Sequence, residues 1–163
     1  MGREIERKFL LRDGIGSFVW KNLAERVLYC RQGYLSSAGG CVVRVRVAGG
    51  RAFLAVKGAG SGMVRDEYEY EIPLSDGEAM LETLAERPFI EKKRYFVPSD
   101  GLTWEIDEFM AENAGLVVAE VELASADQTF SRPFWIGEEV TGDARYYNAV
   151  LVRHPYARWA ERP

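Results

Sequence analysis

Charged residues recur at every second position in stretches whose intervening residues are apolar, and this alternation constrains the chain more than any other feature. A period of two belongs to β-strands, in which successive side chains point to opposite faces. The first instance is Glu4-Ile5-Glu6-Arg7-Lys8-Phe9, which as a strand sets Glu4, Glu6 and Lys8 against Ile5, Arg7 and Phe9. A helix would instead make Glu4 and Lys8 an i,i+4 pair. The recurrence of the same pattern later in the chain favours the strand. Arg44 and Arg46 alternate with valines in Val42–Val47, and Phe53–Lys57 ends on Lys57. Arg65–Ile72 carries Glu67, Glu69 and Glu71, and Ile90–Val97 carries Lys92 and Arg94. Thr103–Phe109 carries Glu105 and Asp107, and Leu116–Leu123 carries Glu120 and Glu122. With Leu28–Ser36 this makes about eight strands.

Two architectures accommodate such strands. An open antiparallel sheet would put the charges in water and the apolar face on one core. A sheet closed into a barrel would put the charges inside and cover its apolar outer face with helices; eight strands leave room for side chains and one small ligand. The alternating positions hold full charges in place of the usual mixture with Thr, Ser and Gln, and acids and bases are segregated by strand. Both features favour the closed barrel. Charges held inside must be paired, metal-bound or ligand-bound. Carboxylates beside a cluster of Arg and Lys would bind divalent cations and a compact polyanion. Oxygen donors without His or Cys favour Mg²⁺ or Mn²⁺.

Composition narrows the function classes. At 163 residues the chain reads as one domain spanning 1–163, and 47% apolar with 28% charged residues describes a globule rather than a disordered chain. No apolar run approaches the ~20 residues of a membrane span, and the charged start from Arg3 is unlike a signal peptide. Cys30 and Cys41 fit no metal or redox spacing, which points to a cytoplasmic protein with reduced thiols. The single His154 rules out a histidine metal cage, and the net charge of −4 argues against general nucleic-acid binding.

Between the strands, residues 13–25 read as a helix capped by Ser17, with Phe18, Trp20 and Leu23 on its apolar stripe. Ser75 with Glu78 reads as a capping box opening a helix over 76–86 that stops at Pro88. Ser125 with Gln128 reads as a second capping box opening a short helix, and Tyr146, Tyr147, Val150 and Leu151 predict a last helix from Asp143. Residues 36–40 and 58–62 are small-residue turns; the latter lacks the Lys-Ser/Thr ending of a phosphate loop. Trp20, Trp104, Trp135 and Trp159 read as packing residues.

Taken in order, Glu4-Ile5-Glu6-Arg7-Lys8, Arg44-Val45-Arg46, Lys57, Glu67-Tyr68-Glu69, Lys92-Lys93-Arg94, Asp107 and Glu120-Val121-Glu122 resemble the CYTH superfamily, the triphosphate tunnel metalloenzymes. Gly137-Glu138-Glu139-Val140-Thr141, Arg145-Tyr146 and Asn148 continue the set, so the resemblance covers essentially the whole chain. It is nearest to short bacterial members that hydrolyse inorganic tripolyphosphate. The resemblance implies an α+β protein: an eight-stranded antiparallel closed β-barrel with a charged interior, flanked by helices. It also implies a metal-dependent triphosphatase whose substrate is a small-molecule triphosphate. Metal ligands would be Glu4, Glu6, Glu67, Glu69, Glu120 and Glu122; phosphate ligands would be Lys8, Arg44, Arg46, Lys57, Lys92 and Arg94. Lys8, Lys92 and Asp107 would serve catalysis, with the base left open among a carboxylate, Lys92 and a hydroxide on the metal. Where some relatives carry a basic residue two positions before Asp107, this chain has Glu105. Adenylate cyclisation, nucleoside or thiamine triphosphate hydrolysis, and non-catalytic polyphosphate binding are the alternatives. No membrane or nucleic-acid partner is expected, and a homodimer is admitted.

Overall fold

The computed structural model of the chain describes residues 2–36, 40–58 and 63–160. Among the described residues nine strands form one antiparallel sheet: β1 (Gly2–Leu11), β2 (Arg26–Ser36), β3 (Val42–Ala48), β4 (Arg51–Lys57), β5 (Val64–Ile72), β6 (Ile90–Ser99), β7 (Leu102–Phe109), β8 (Val117–Glu122) and β9 (Ile136–Glu139). Their order is β5-β4-β3-β2-β6-β7-β8-β1, and β1 returns to β5 from Gly2↔Glu67 to Ile5↔Val64, which closes eight strands into a barrel. The short β9 extends the same edge of β1, at Phe9↔Glu139 and Leu11↔Ile136. Closure is partial along β5: Val64–Glu67 pair with β1, while Tyr68–Ile72 pair with β4 alone among the described strands. The two-residue turns Gly49–Gly50 and Asp100–Gly101 take the positive φ angles that tight hairpins require.

The apolar face of the strands points outward, and one core lies against that outer wall. Phe9, Tyr95, Val97, Trp104, Ile106, Ala119 and Val121 pack there with Trp20 of α1 (Phe18–Leu23) and with Trp135. Trp104 meets Phe9 and Trp135 edge-on at 5.5 and 5.6 Å between ring centroids, pairs that contribute about 0.5–1.5 kcal/mol each beyond burial. Helix α2 (Leu74–Thr83) covers β3 and β4. Gly77 permits that approach, since a Cβ there would lie 2.4 Å from the Ala52 Cβ. Beyond α2 the outer wall is incompletely covered, and Tyr68 and Tyr70 on β5 stay exposed.

A second core fills one end of the barrel. Register pairs Val118 with Leu10 two residues beyond Glu120 and Lys8, so these apolar residues continue the inward face. Tyr34, Ile90, Phe109 and Val118 gather there with Leu151 and Val152 of α3 (Asn148–Arg153) and with Tyr146, Tyr156 and Trp159. The barrel interior is therefore charged over one half and plugged with apolar side chains over the other. All four tryptophans are packing residues, as their sequence contexts imply.

The helices depart from the sequence pattern. The first spans only Phe18–Leu23, with Ser17 at its N-cap position but no side-chain cap bond. The second starts at Leu74 behind Pro73 instead of at a Ser75–Glu78 capping box, and Ser75 reaches only Asp76. No helix forms after Ser125: Gln128 Oε1 accepts the backbone N–H of Ala124 at 2.6 Å, a turn that uses the same polar residues locally. The last helix is split into a 3₁₀ turn, Ala144–Tyr146, and α3. Residues 37–39 and 59–62 of the two expected small-residue turns lie outside the described residues. No helix among those described is long and apolar enough to cross a membrane.

Candidate active site

The charged half of the barrel encloses a cavity of about 480 Å³. Because alternate residues point inward, each strand delivers its charged set together: Glu4, Glu6 and Lys8 from β1, Arg44 and Arg46 from β3, Lys57 from β4, Arg65, Glu67 and Glu69 from β5. The wall is completed by Arg94 of β6, Thr103 and Glu105 of β7, Glu120 and Glu122 of β8, and Asn148 of α3. With Arg3 at the rim, seven cations face seven carboxylates among the described lining residues. A smaller cavity of about 270 Å³ adjoins the first across Lys8, Arg44, Lys57 and Arg65, and adds Tyr34, Met63 and Tyr147.

Opposite charges meet across strand pairs. Lys8 bridges Glu6, at 2.8 Å, and Glu120, its register partner. Lys57 lies 2.7 Å from Glu67 and 3.4 Å from Glu4. Arg44 and Arg46 share Glu69 at 2.6 and 2.9 Å, and Arg65 spans Glu4 and Glu6. Deeper, Lys92 and Arg94 converge on Asp107, and Arg94 also reaches Glu105 and Glu120.

These contacts set the electrostatics. Burial pushes Lys57 down to about 8, and the Arg44 guanidinium adds to the shift. Burial and Arg94 lower Lys92, and burial with Arg44 lowers Arg46. Burial would raise Glu120, yet Lys8, Arg94 and Lys92 hold it well below the carboxylate range. Glu122 goes the other way: burial raises it, reinforced by Glu4, Glu105, Glu6 and Glu67. Ion pairing is close to complete around most of the wall but omits Glu122, which has no ion-pair partner among the described residues.

Two charged features of the wall remain chemically unsatisfied. The Nε atoms of Arg44 and Arg46 are buried donors with no acceptor among the described residues. Buried donors of that kind call for an acceptor, which a bound anion would supply. Glu122 carries a charge that its carboxylate neighbours oppose, which calls for a cation. The charged groups that act on it are all carboxylates, donors suited to hard divalent ions. No three described acids already stand as a metal cage; Glu4 and Glu6 are turned toward Arg65 and Lys57. The residues fit a divalent cation in chemistry, with Glu4, Glu6 and Glu122 as the ones able to hold it.

Of the residues singled out from the sequence, Glu4, Glu6, Lys8, Arg44, Arg46, Lys57, Glu67, Glu69, Arg94, Glu120 and Glu122 share the cavity wall. Lys92 and Asp107 do not line it: they are 1% and 0% exposed and paired to each other behind Arg94. Arg65 and Thr103 also line it and were not anticipated; Asn148, which the resemblance included without assigning it a role, lines it too. For Arg65 the signal was present, since it stands two residues before Glu67 on the same inward face. Asn148 comes from a helix, where a period of two carries no information.

The comparisons with known proteins agree with this geometry. The family model of the CYTH domain matches residues 2–152. An inorganic triphosphatase of Acetivibrio thermocellus is 49% identical over 161 residues, covering 99% of this chain and 100% of its own length. Another, from Nitrosomonas europaea, is 39% identical over 154 residues, covering 91% of this chain and 96% of its own length. A solved inorganic triphosphatase structure, 34% identical, matches with a TM-score of 0.62 over 91% of this chain and 93% of that one.

Proposed function

This chain belongs to the CYTH family, and from that premise we propose that it hydrolyses inorganic tripolyphosphate to pyrophosphate and phosphate with a divalent cation, Mg²⁺ or Mn²⁺. The observation that carries the reading is the pair of acceptor-less guanidinium donors, Arg44 Nε and Arg46 Nε, in a cavity otherwise lined by matched charges. Their planar forks suit phosphoryl oxygens, while Lys8 and Lys57 act as point charges. A polyanion entering a cavity already near charge balance must bring cations or displace carboxylates.

Glu4, Glu6 and Glu122 hold the cation in this reading, and Glu67 with Glu69 supplies a second acidic position. When bound, the cation neutralises phosphoryl oxygens and polarises the reacting group. Glu120 is held between Lys8 and Arg94, so it fixes those two cations against the substrate. Lys92 and Asp107 support Arg94 from behind rather than touching the reacting atoms. Catalysis then rests on positioning and electrostatic stabilisation, as phosphoryl transfer generally does.

A nucleoside or thiamine triphosphate is the second reading, and the adjoining cavity with Tyr34, Met63 and Tyr147 is the observation that favours it. Orthophosphate release from tripolyphosphate, pyrophosphate, ATP and thiamine triphosphate, with Mg²⁺ or Mn²⁺ and with EDTA, separates the two. Tripolyphosphate should have the highest kcat/KM, and pyrophosphate, too short to reach all the clamps, should be poor. A preference for ATP, or cyclic AMP as product, would overturn the first reading.

A further inference from the structure

Glu4 and Glu6 are already bridged by one guanidinium. Arg65 faces Glu4 in register across the β1–β5 pair, with Nε 2.5 Å from Glu4 and Nη2 3.5 Å from Glu6. No other described cation spans both acids: Lys57 pairs Glu4 with Glu67, and Lys8 pairs Glu6 with Glu120. A fork of fixed geometry suits two carboxylates two residues apart on one strand face. Resting on the reading of Glu4 and Glu6 as cation holders, we propose that Arg65 is a positioning residue that competes with the divalent cation for these two carboxylates and, once displaced, turns to the polyanion.

The same two carboxylates cannot satisfy a bridging guanidinium and a divalent ion at full strength. Displacement does not carry the side chain out of the site, because Arg65 is anchored on β5 within the wall shared by both cavities, beside Lys57 and Arg44. A group that neutralised acids thereby becomes a further cation for phosphoryl oxygens. Cation loading and polyanion binding then assist each other, and the acids keep their spacing until the cation arrives.

Isothermal titration of the full chain with Mn²⁺ alone, without phosphate ligand, tests this. Arg65→Gln should bind Mn²⁺ about tenfold more tightly than wild type, the scale of one lost charge-assisted contact. The comparison is Arg46→Gln, which removes the same charge from the same cavity but pairs with Glu69 alone; its effect should be clearly smaller. Arg65→Gln should at the same time raise KM for tripolyphosphate, so the two effects run in opposite directions. Mn²⁺ affinity in Arg65→Gln that is unchanged, weaker, or no tighter than in Arg46→Gln overturns the proposal while leaving the metal reading standing. Absence of Mn²⁺ binding in wild type and variant alike removes both. Should Arg65→Gln fail to fold, Arg65→Lys carries the test: a single ammonium bridges the acids poorly, so Mn²⁺ should again bind more tightly than in wild type, and no gain overturns the proposal.

Discussion

Glu6 and Glu122 face each other in register across the β1–β8 pair, and only Glu6 is neutralised, by Lys8 at 2.8 Å. Like charges directly opposite on one sheet face are destabilising. In the proposed reading a cation bound between them would relieve that repulsion.

Glu122→Gln should therefore lower turnover of tripolyphosphate about tenfold to a hundredfold, the range seen when groups that hold or orient a metal are removed. The melting temperature in EDTA should stay equal or rise. Burial and four neighbouring acids raise this carboxyl in the folded chain, so its ionisation opposes folding as pH climbs past the ordinary carboxylate range. A lower melting temperature together with full activity would contradict the assignment.

Arg44→Gln and Arg46→Gln each remove a buried guanidinium whose Nε lacks an acceptor. Each should cost about 1.5–3 kcal/mol of transition-state binding, or about tenfold to a hundredfold in kcat/KM for tripolyphosphate. Steady-state kinetics at saturating Mg²⁺ provides the check, with far-UV circular dichroism to confirm the fold.

Lys57 gives a pH signature. Its ammonium is held down to about 8 from an ordinary 10.5. Between those values the unfolded chain retains a proton that the folded chain has released, so the Lys57 contribution to stability rises with pH across that window. Phosphate binding needs the charged form, so log kcat/KM should fall above pH ~8. Lys57→Arg should remove that alkaline limb. A limb unchanged in Lys57→Arg would assign it to another group.

Asp107 is the acid on which Lys92 and Arg94 converge, and it is fully buried. Asp107→Asn should lower stability by about 3–5 kcal/mol, because it leaves buried cations uncompensated. Arg51→Gln, which breaks an exposed pair with Glu71, should leave stability close to that of wild type. Urea denaturation of the two variants measures the contrast.

The strands were legible because closure of the barrel inverts the usual alternation without changing its period. A period of two fixes which residues share a face, and Arg44, Arg46, Lys57, Glu4, Glu6, Glu67, Glu69, Glu120 and Glu122 did meet in one cavity, whereas Glu71 near the end of β5 pairs with Arg51 in solvent. Depth along the barrel axis has no such signature. Lys92 and Asp107 have the same parity as the cavity residues yet lie at the plugged end, where apolar neighbours replace solvent. The strand β9 escaped notice because it is four residues long and pairs only with the end of β1. Capping patterns were the least informative signals: Ser125 and Gln128 have the spacing of a helix start, but Gln128 accepts the N–H of Ala124 in a turn.

The placement of the two apolar clusters, one on the outer wall and one at the barrel end, divides labour between regions of the chain. Packing cohesion resides away from the chamber, whose lining is a lattice of paired charges around open volume. Exchanging one lining residue for another of different length disturbs no jigsaw fit. Such a barrel can be retuned from one polyanion to another by few substitutions, with its folding information left in the aromatic and aliphatic residues that never meet the substrate.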